Sequence, residues 1–186
     1  MRIDDFITRY QLKTPCDEQG FPHRAKQSAV MILAYEEAEQ TQLLLCKRPS
    51  YLKHHPAQIC FPGGKLEPSD RSLLDTAYRE SYEELGVSQN NIQLLGEMAS
   101  YWTLTGFEIK PYVGVLNSPF SLNLDPQEVA LTFSLSIEAL QRENNWQDIH
   151  FSRAGKRYTL SGYHTQHGVL WGATAQLIKN LIKHIY

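Results

Sequence analysis

Three glutamates, Glu80, Glu83 and Glu84, have a spacing that places their carboxylates on one side of an α-helix. At about 100° per residue, they fall within an arc of roughly 100°. Carboxylates at these spacings repel one another by roughly 0.2–0.5 kcal/mol per pair in a bare helix. A hard divalent cation such as Mg²⁺ relieves that repulsion, because it prefers oxygen ligands. The spacing therefore indicates either a metal site or a solvated acidic face, and most runs of charge are solvated faces.

A glycine pair upstream of the glutamates favours the metal site. Gly63 and Gly64 follow a strand-like segment at residues 58–61. Without Cβ atoms, they let backbone amides and carbonyls approach a ligand or a metal. A double glycine alone is only a turn signal. Together with the run RESYEELGV at residues 79–87, it forms a compound motif of much higher specificity.

This compound motif resembles the box of the Nudix hydrolases, G-x5-E-x7-R-E-U-x-E-E-x-G-U, in which U is a bulky apolar residue. The matching positions are Gly64, Arg79, Glu80, Glu83, Glu84, Gly86 and Val87. Three features depart from the box. The loop between Gly64 and Arg79 is one residue longer, Arg71 replaces the first glutamate with Asp70 just before it, and Ser81 stands at an apolar position.

The longer loop is also similar to one branch of that family, the coenzyme A pyrophosphatases. This branch carries an upstream signature, L-L-T-x-R-[SA]-x3-R-x3-G-x3-F-P-G-G. Residues 44–64, LLCKRPSYLKHHPAQICFPGG, keep every spacing of the signature. The departures are Cys46, Pro49, Lys53 and Ala57, of which Lys53 preserves the positive charge. The resemblance extends over roughly residues 28–182.

The resemblance implies a divalent-metal-dependent hydrolase that cleaves the pyrophosphate bond of coenzyme A or its derivatives, giving 3′,5′-ADP and 4′-phosphopantetheine. Mg²⁺ or Mn²⁺ is the implied cofactor, and its implied ligands are Glu80, Glu83 and Glu84. Stabilising the charge on phosphoryl oxygens is the main catalytic task of such a site. The residues expected in catalysis are Glu83, Glu84, Arg79 and Glu128, and those expected to bind substrate are Arg48, Lys53, Gly63 and Gly64.

Alternatives stay open for single residues and for the function. Glu128 is either an acid near the reaction or a loop acid with a structural role. Arg48 and Lys53 are either phosphate ligands or ordinary exposed bases. The first alternative function is a Nudix pyrophosphatase for another nucleoside diphosphate derivative, such as ADP-ribose or a dinucleoside polyphosphate. The second is a non-catalytic module that senses nucleotides.

The periodicity of the flanking residues predicts the elements that position these side chains. Small and apolar residues at helical spacing predict a helix over residues 72–85, with Asp70 as its N-cap and Gly86 in a left-handed conformation at its end. A short N-terminal helix, capped by Asp4 or Asp5, and helices at residues 137–142 and 173–185 are also predicted. Strands are predicted at residues 28–35, 42–47, 58–61, 92–100, 108–116, 129–135, 146–152, 157–160 and 169–171.

Many strands with few, widely placed helices predict an α+β fold. The resemblance implies a Nudix-like α/β/α sandwich, in which the box helix and the C-terminal helix pack on a mixed β-sheet. The 186 residues are expected to form one domain, with an N-terminal helix and loop at residues 1–27 and the core at residues 28–182.

The charge balance limits the expected partners. Eighteen Lys and Arg residues against twenty Asp and Glu residues give a net charge of −2, which argues against nucleic acid and against an anionic membrane. The expected partner is a small nucleotide resembling coenzyme A, and a homodimer is left open.

Three cysteines without CxxC spacing indicate a reducing compartment. No apolar run reaches membrane-spanning length, and two acids near the N-terminus argue against a signal peptide, so a cytoplasmic location is expected.

Overall fold

The computed structural model describes residues 1–13, 25–153 and 155–186. Residues 14–24, which belong to the N-terminal helix and loop predicted at residues 1–27, lie outside this described part of the chain. The described helices are α1 (Ile3–Leu12), α2 (Leu73–Leu85), α3 (Ile137–Gln141) and α4 (Gly172–Ile185). The described strands are β1 (Lys26–Glu37), β2 (Gln40–Lys47), β3 (Ile59–Cys60), β4 (Gly63–Lys65), β5 (Ile92–Glu97), β6 (Tyr101–Trp102), β7 (Phe107–Leu116), β8 (Leu131–Ser136), β9 (Trp146–Arg153), β10 (Lys156–Thr165) and β11 (Gly168–Leu170).

The main sheet is mixed, with the parallel pair β1 and β7 at its centre. Its strand order is β3-β2-β1-β7-β5, and β4, β6 and β8 pair with β1, β7 and β2. The first two predicted strands, at residues 28–35 and 42–47, form an antiparallel hairpin in the register of β1 and β2. Its two-residue turn has positive φ angles of 48° at Ala38 and 61° at Glu39, as the right-handed twist of a hairpin favours. Strands β9 to β11 form a smaller sheet.

Helices cover both faces of the main sheet because β1 is apolar on both of its faces. Met31 and Leu33 pack in one cluster with Leu85 of α2. Ile32 and Ala34 pack in a second cluster with the apolar faces of α1 and α4. Side chains alternate between the two faces of a strand, so each face buries its own layer of helices. The predicted α/β/α layering is confirmed.

Helix α2 begins and ends through local hydrogen bonds. Ser72 is the N-cap, because its side chain accepts a hydrogen bond from the backbone N–H of Asp75; the prediction of Asp70 as the cap is wrong. At the other end, Gly86 adopts the predicted left-handed conformation with φ 70°. Ser81 fits the apolar position that it occupies because it is buried and its hydroxyl donates to the Ala77 carbonyl at 2.7 Å.

Further details differ from the predictions. Helix α1 begins at Ile3, so Asp4 and Asp5 lie in its first turn and do not cap it. Strand β4 is not predicted, because its two glycines indicate a turn when they are taken alone. It forms through backbone pairing with β1, in which Gly64 lies opposite Ala29, and this pairing fixes the glycine pair against the central strand. No helix in the described ranges combines the length and the apolar character needed to cross a membrane.

Candidate metal and catalytic site

Three carboxylates from two parts of the chain converge at one end of α2. Glu80 and Glu84 lie one helical turn apart on α2, and Glu128 lies in the segment between β7 and β8. One carboxylate oxygen of each residue lies within 4.8 Å of those of the other two. Glu84 is buried, with 2% of its side chain exposed, whereas the Glu128 side chain is 49% exposed. The group offers hard oxygen ligands that suit Mg²⁺ or Mn²⁺ and one side that is open to solvent.

The glycine pair makes room for two of these carboxylates. A Cβ atom on Gly64 would lie 2.1 Å from Oε1 of Glu80, so a larger residue cannot share this space with the carboxylate. The backbone N–H of Gly63 donates to Oε2 of Glu84 at 3.3 Å. The absence of a Cβ at residue 64 therefore lets the backbone lie against the Glu80 carboxylate.

The environment of Glu84 disfavours its charged form. Burial, together with the charge of Glu80, raises the pKa of Glu84 from its ordinary value of 4.5 to about 8. Burial also raises the pKa of Glu80. Arg48 supplies positive charge, with its Nη1 at 3.6 Å from Glu84 Oε1 and 3.8 Å from Glu128 Oε2. A bound divalent cation would favour the ionised carboxylates, so the donor set and its electrostatics fit a metal.

The raised pKa of Glu84 predicts that the metal-free protein loses stability as the pH rises. The folded protein holds a proton on Glu84 more tightly than the unfolded chain does. The resulting stabilisation is complete below about pH 4.5 and is lost as the pH rises through about 8. We expect the free energy of unfolding to fall by something on the order of 2–4 kcal/mol over this range. Urea unfolding in the presence of chelator, at several pH values, measures it.

Glu84→Gln is the matched variant for this pH dependence. Because glutamine does not titrate, the variant is expected to show a much flatter pH dependence than the unaltered protein. Identical pH dependences in the two proteins would show that Glu84 is not the group responsible.

Arg79 joins the loop before α2 to two of the glutamates. Its Nε and Nη2 donate to the two carboxylate oxygens of Asp70, each at 3.0 Å. Its Nη1 donates to Glu80 Oε1 at 2.9 Å and to Glu83 Oε2 at 2.8 Å. The hydrogen bonds from Arg79 to Asp70 hold the pKa of the Asp70 carboxyl well below its usual range. Arg79 is thereby fixed by Asp70 and in turn orients Glu80.

Asp70 is the site residue that sequence reasoning places wrongly. Counted back from Arg79, the first acid of the box falls on Arg71, which instead pairs with Asp75. Counted forward from Gly64, the same acid falls on Asp70, so the extra loop residue lies between Asp70 and Arg79. The forward count was the signal available in the sequence, and it identifies the residue that binds Arg79.

Two other expected site residues lie outside the group of Glu80, Glu84 and Glu128. Glu83 is 55% exposed, and its carboxylate accepts a hydrogen bond from the same Arg79 Nη1 that binds Glu80. Lys53 is exposed in the loop between β2 and β3 and forms no ion pair within the described ranges. Of the two basic residues expected to bind substrate, Arg48 therefore lies at the carboxylates and Lys53 is free to contact a ligand.

The comparisons with known proteins agree on one family. Residues 25–154 match the NUDIX domain family. A relative from Enterobacter sp. (strain 638), named "Uncharacterized Nudix hydrolase NudL", is 33% identical over 100% of this chain and 95% of its own length. The structure of a MutT/nudix family protein from Enterococcus faecalis is similar with a TM-score of 0.61 and 19% identity, over 100% of this chain and 70% of that one. The NUDIX domain of Shewanella oneidensis NrtR, complexed with ADP ribose, has a TM-score of 0.58 and 15% identity over the full length of both chains. At these identities the two structures show likeness of fold alone.

Proposed function

This chain belongs to the NUDIX family, as a hydrolase of the pyrophosphatase type, and we propose that its substrate is coenzyme A or a derivative of it. Cleavage of the pyrophosphate bond gives 3′,5′-ADP and 4′-phosphopantetheine. The observation that carries the proposal is the position of the segment at residues 44–64, which resembles the coenzyme A pyrophosphatase signature. This segment supplies both Arg48 and the glycine pair to the carboxylate group.

Glu80, Glu84 and Glu128 are the residues proposed to hold Mg²⁺ or Mn²⁺, with Glu83 and the Gly64 carbonyl as further candidates. When bound, the cation supplies Lewis-acid polarisation of the phosphoryl oxygens. The chain's own residues orient and fix these carboxylates. Arg79 orients Glu80, and the buried Glu84 is fixed by the Gly63 amide.

Glu128 is the proposed proton acceptor for the attacking water. It is the most exposed carboxylate of the group, so it is the one that water and substrate reach first. Arg48, which lies between Glu84 and Glu128, is placed to contact the phosphate that develops charge as the bond breaks. Binding of the 3′-phosphate is proposed for Lys53, because it is exposed and unpaired in the described residues.

Lys53→Ala tests the coenzyme A specificity. Coenzyme A and dephospho-coenzyme A differ only in the 3′-phosphate. The loss of a cation that binds this group is therefore expected to weaken the binding of coenzyme A and not that of dephospho-coenzyme A. A charge-assisted hydrogen bond to phosphate is worth about 1.5–3 kcal/mol, and for an exposed lysine we expect the lower end, or roughly a tenfold rise in KM for coenzyme A. The KM for dephospho-coenzyme A should stay unchanged. Steady-state kinetics on both substrates measures the difference.

Lys183→Ala is the matched control, because Lys183 is an exposed lysine in the last turn of α4. It should leave both KM values unchanged. Equal losses on the two substrates in Lys53→Ala would remove this residue from recognition of the 3′-phosphate.

A further inference from the structure

Glu128 lies in a segment that contains neither helix nor strand, so its position depends on the contacts of the backbone around it. The segment at residues 117–130 connects β7 to β8. Two backbone hydrogen bonds fix the ends of the part that carries Glu128. The Asp125 N–H donates to the Glu84 carbonyl at 3.1 Å, and the Ala130 N–H donates to the Lys47 carbonyl at 2.8 Å. Between these points the chain forms a tight turn, which we call the Glu128 turn (residues 125–128).

The Glu128 turn is closed mainly by Asp125. Its side chain accepts from the Gln127 N–H at 2.8 Å, and its carbonyl accepts from the Glu128 N–H at 3.1 Å. These bonds shape the turn, whose ends are held by the Asp125–Glu84 and Ala130–Lys47 hydrogen bonds and by the buried Val129. The orientation of its apex between these ends decides whether the Glu128 carboxylate stays near Glu80 and Glu84.

Tyr51 reaches the apex of this turn from the opposite loop. Its hydroxyl donates to the Pro126 carbonyl at 2.8 Å. The Tyr51 residue is 71% exposed, so burial of its ring explains little of its position. It lies three residues after Arg48 on the loop between β2 and β3, and Arg48 contacts the Glu128 carboxylate itself. One loop therefore contacts the Glu128 turn at two points, the backbone through Tyr51 and the side chain through Arg48.

We propose that Tyr51 is a positioning residue, whose hydroxyl holds the Glu128 turn through the Pro126 carbonyl and so keeps the Glu128 carboxylate with Glu80 and Glu84. The inference rests on the proposed function, since it assigns Tyr51 to the same site. Tyr51 does not touch metal or substrate in this role and acts only through Glu128. Its removal therefore changes metal binding and turnover only where Glu128 is present to be positioned.

A double-mutant cycle of Tyr51→Phe with Glu128→Gln tests this dependence. Tyr51→Phe removes the hydroxyl and keeps the ring. The loss of a single hydrogen bond predicts a fall of about two- to tenfold in Mn²⁺ affinity, in kcat, or in both. In the Glu128→Gln background the same change is expected to have no further effect. Titration calorimetry with MnCl₂ on the metal-free full-length protein measures the affinity, and this readout does not require hydrolysis.

Tyr82→Phe is the matched control, because Tyr82 is an exposed tyrosine on α2 whose hydroxyl bonds to no described residue. It is expected to change neither readout, and thermal midpoints should agree among all variants. The inference is overturned if Tyr51→Phe has no effect, or if it has the same effect in both backgrounds. Wild-type metal affinity and turnover in Glu128→Gln would also overturn it. Failure of the proposed function appears separately, as absence of hydrolysis by the unaltered protein.

Discussion

Replacing Glu84 by glutamine is expected to lower turnover at saturating substrate by at least about a hundredfold, the scale of a lost charge-stabilising group. Glutamine keeps the size of the side chain but removes an anionic oxygen ligand for a hard cation. The metal-free variant should be as stable as the unaltered protein or more stable at pH 8. The reason is that the variant no longer buries a carboxylate whose pKa is raised to about 8. Steady-state kinetics and urea unfolding measure the two quantities.

Glu37→Gln is the matched control for this variant, since Glu37 is an exposed glutamate at the end of β1. It should leave turnover and stability unchanged. Turnover close to that of the unaltered protein in Glu84→Gln would contradict the assignment of the site. A loss of activity that accompanies unfolding of the variant would contradict the prediction that the metal-free variant is as stable as the unaltered protein.

The second large effect is expected at Gly64, where a single methyl group competes with a carboxylate. In Gly64→Ala, the new Cβ would meet all three atoms of the Glu80 carboxyl group, the nearest at 2.1 Å. The flexible end of Glu80 can move away at little cost in stability, but it then leaves Glu84 and Glu128. We expect turnover and Mn²⁺ affinity to fall by about tenfold or more, the scale of a misplaced catalytic group, with an unchanged thermal midpoint.

The neighbouring glycine gives the opposite expectation. In Gly63→Ala, the Cβ would lie 2.4 Å from the Ala29 carbonyl oxygen and 2.8 Å from the Val30 Cα, which belong to the backbone of the central strand. This backbone cannot move without disturbing the sheet, so a loss of about 1–3 kcal/mol in stability is expected. Equal losses of stability in the two variants would show that Gly64 is needed only for packing.

The helix that carries the site is predictable because its determinants are local. Periodic apolar residues and the terminal Gly86 predict residues 72–85, and α2 spans Leu73–Leu85. The role of Asp70 is not predictable in this way. A carboxylate just before a helix favours a cap, but here the carboxylate is taken by Arg79, which comes two turns later on α2. Ser72, two residues further on, provides the cap instead.

The grouping of the carboxylates depends on the tertiary structure. Helical spacing places Glu83 with Glu80 and Glu84, but Arg79, one turn before Glu83, binds its carboxylate. Glu128 comes from a segment whose position depends on hydrogen bonds to residues distant in the sequence, so no local pattern brings it to α2. In the sequence, Glu128 is identified as a site residue only through the resemblance to the family.

The most direct measurement is product identification from coenzyme A by mass spectrometry, with metal-free protein and with Mg²⁺ or Mn²⁺ restored. We expect equal amounts of 3′,5′-ADP and 4′-phosphopantetheine with metal, and neither product with chelator. The circular dichroism spectrum should be the same in both conditions, because the face of α2 opposite the carboxylates packs on the sheet. Cleavage of ADP-ribose or a dinucleoside polyphosphate, but not of coenzyme A, would contradict the proposed substrate. No cleavage with metal, or equal cleavage with chelator, would contradict a metal-dependent hydrolase at Glu80, Glu84 and Glu128.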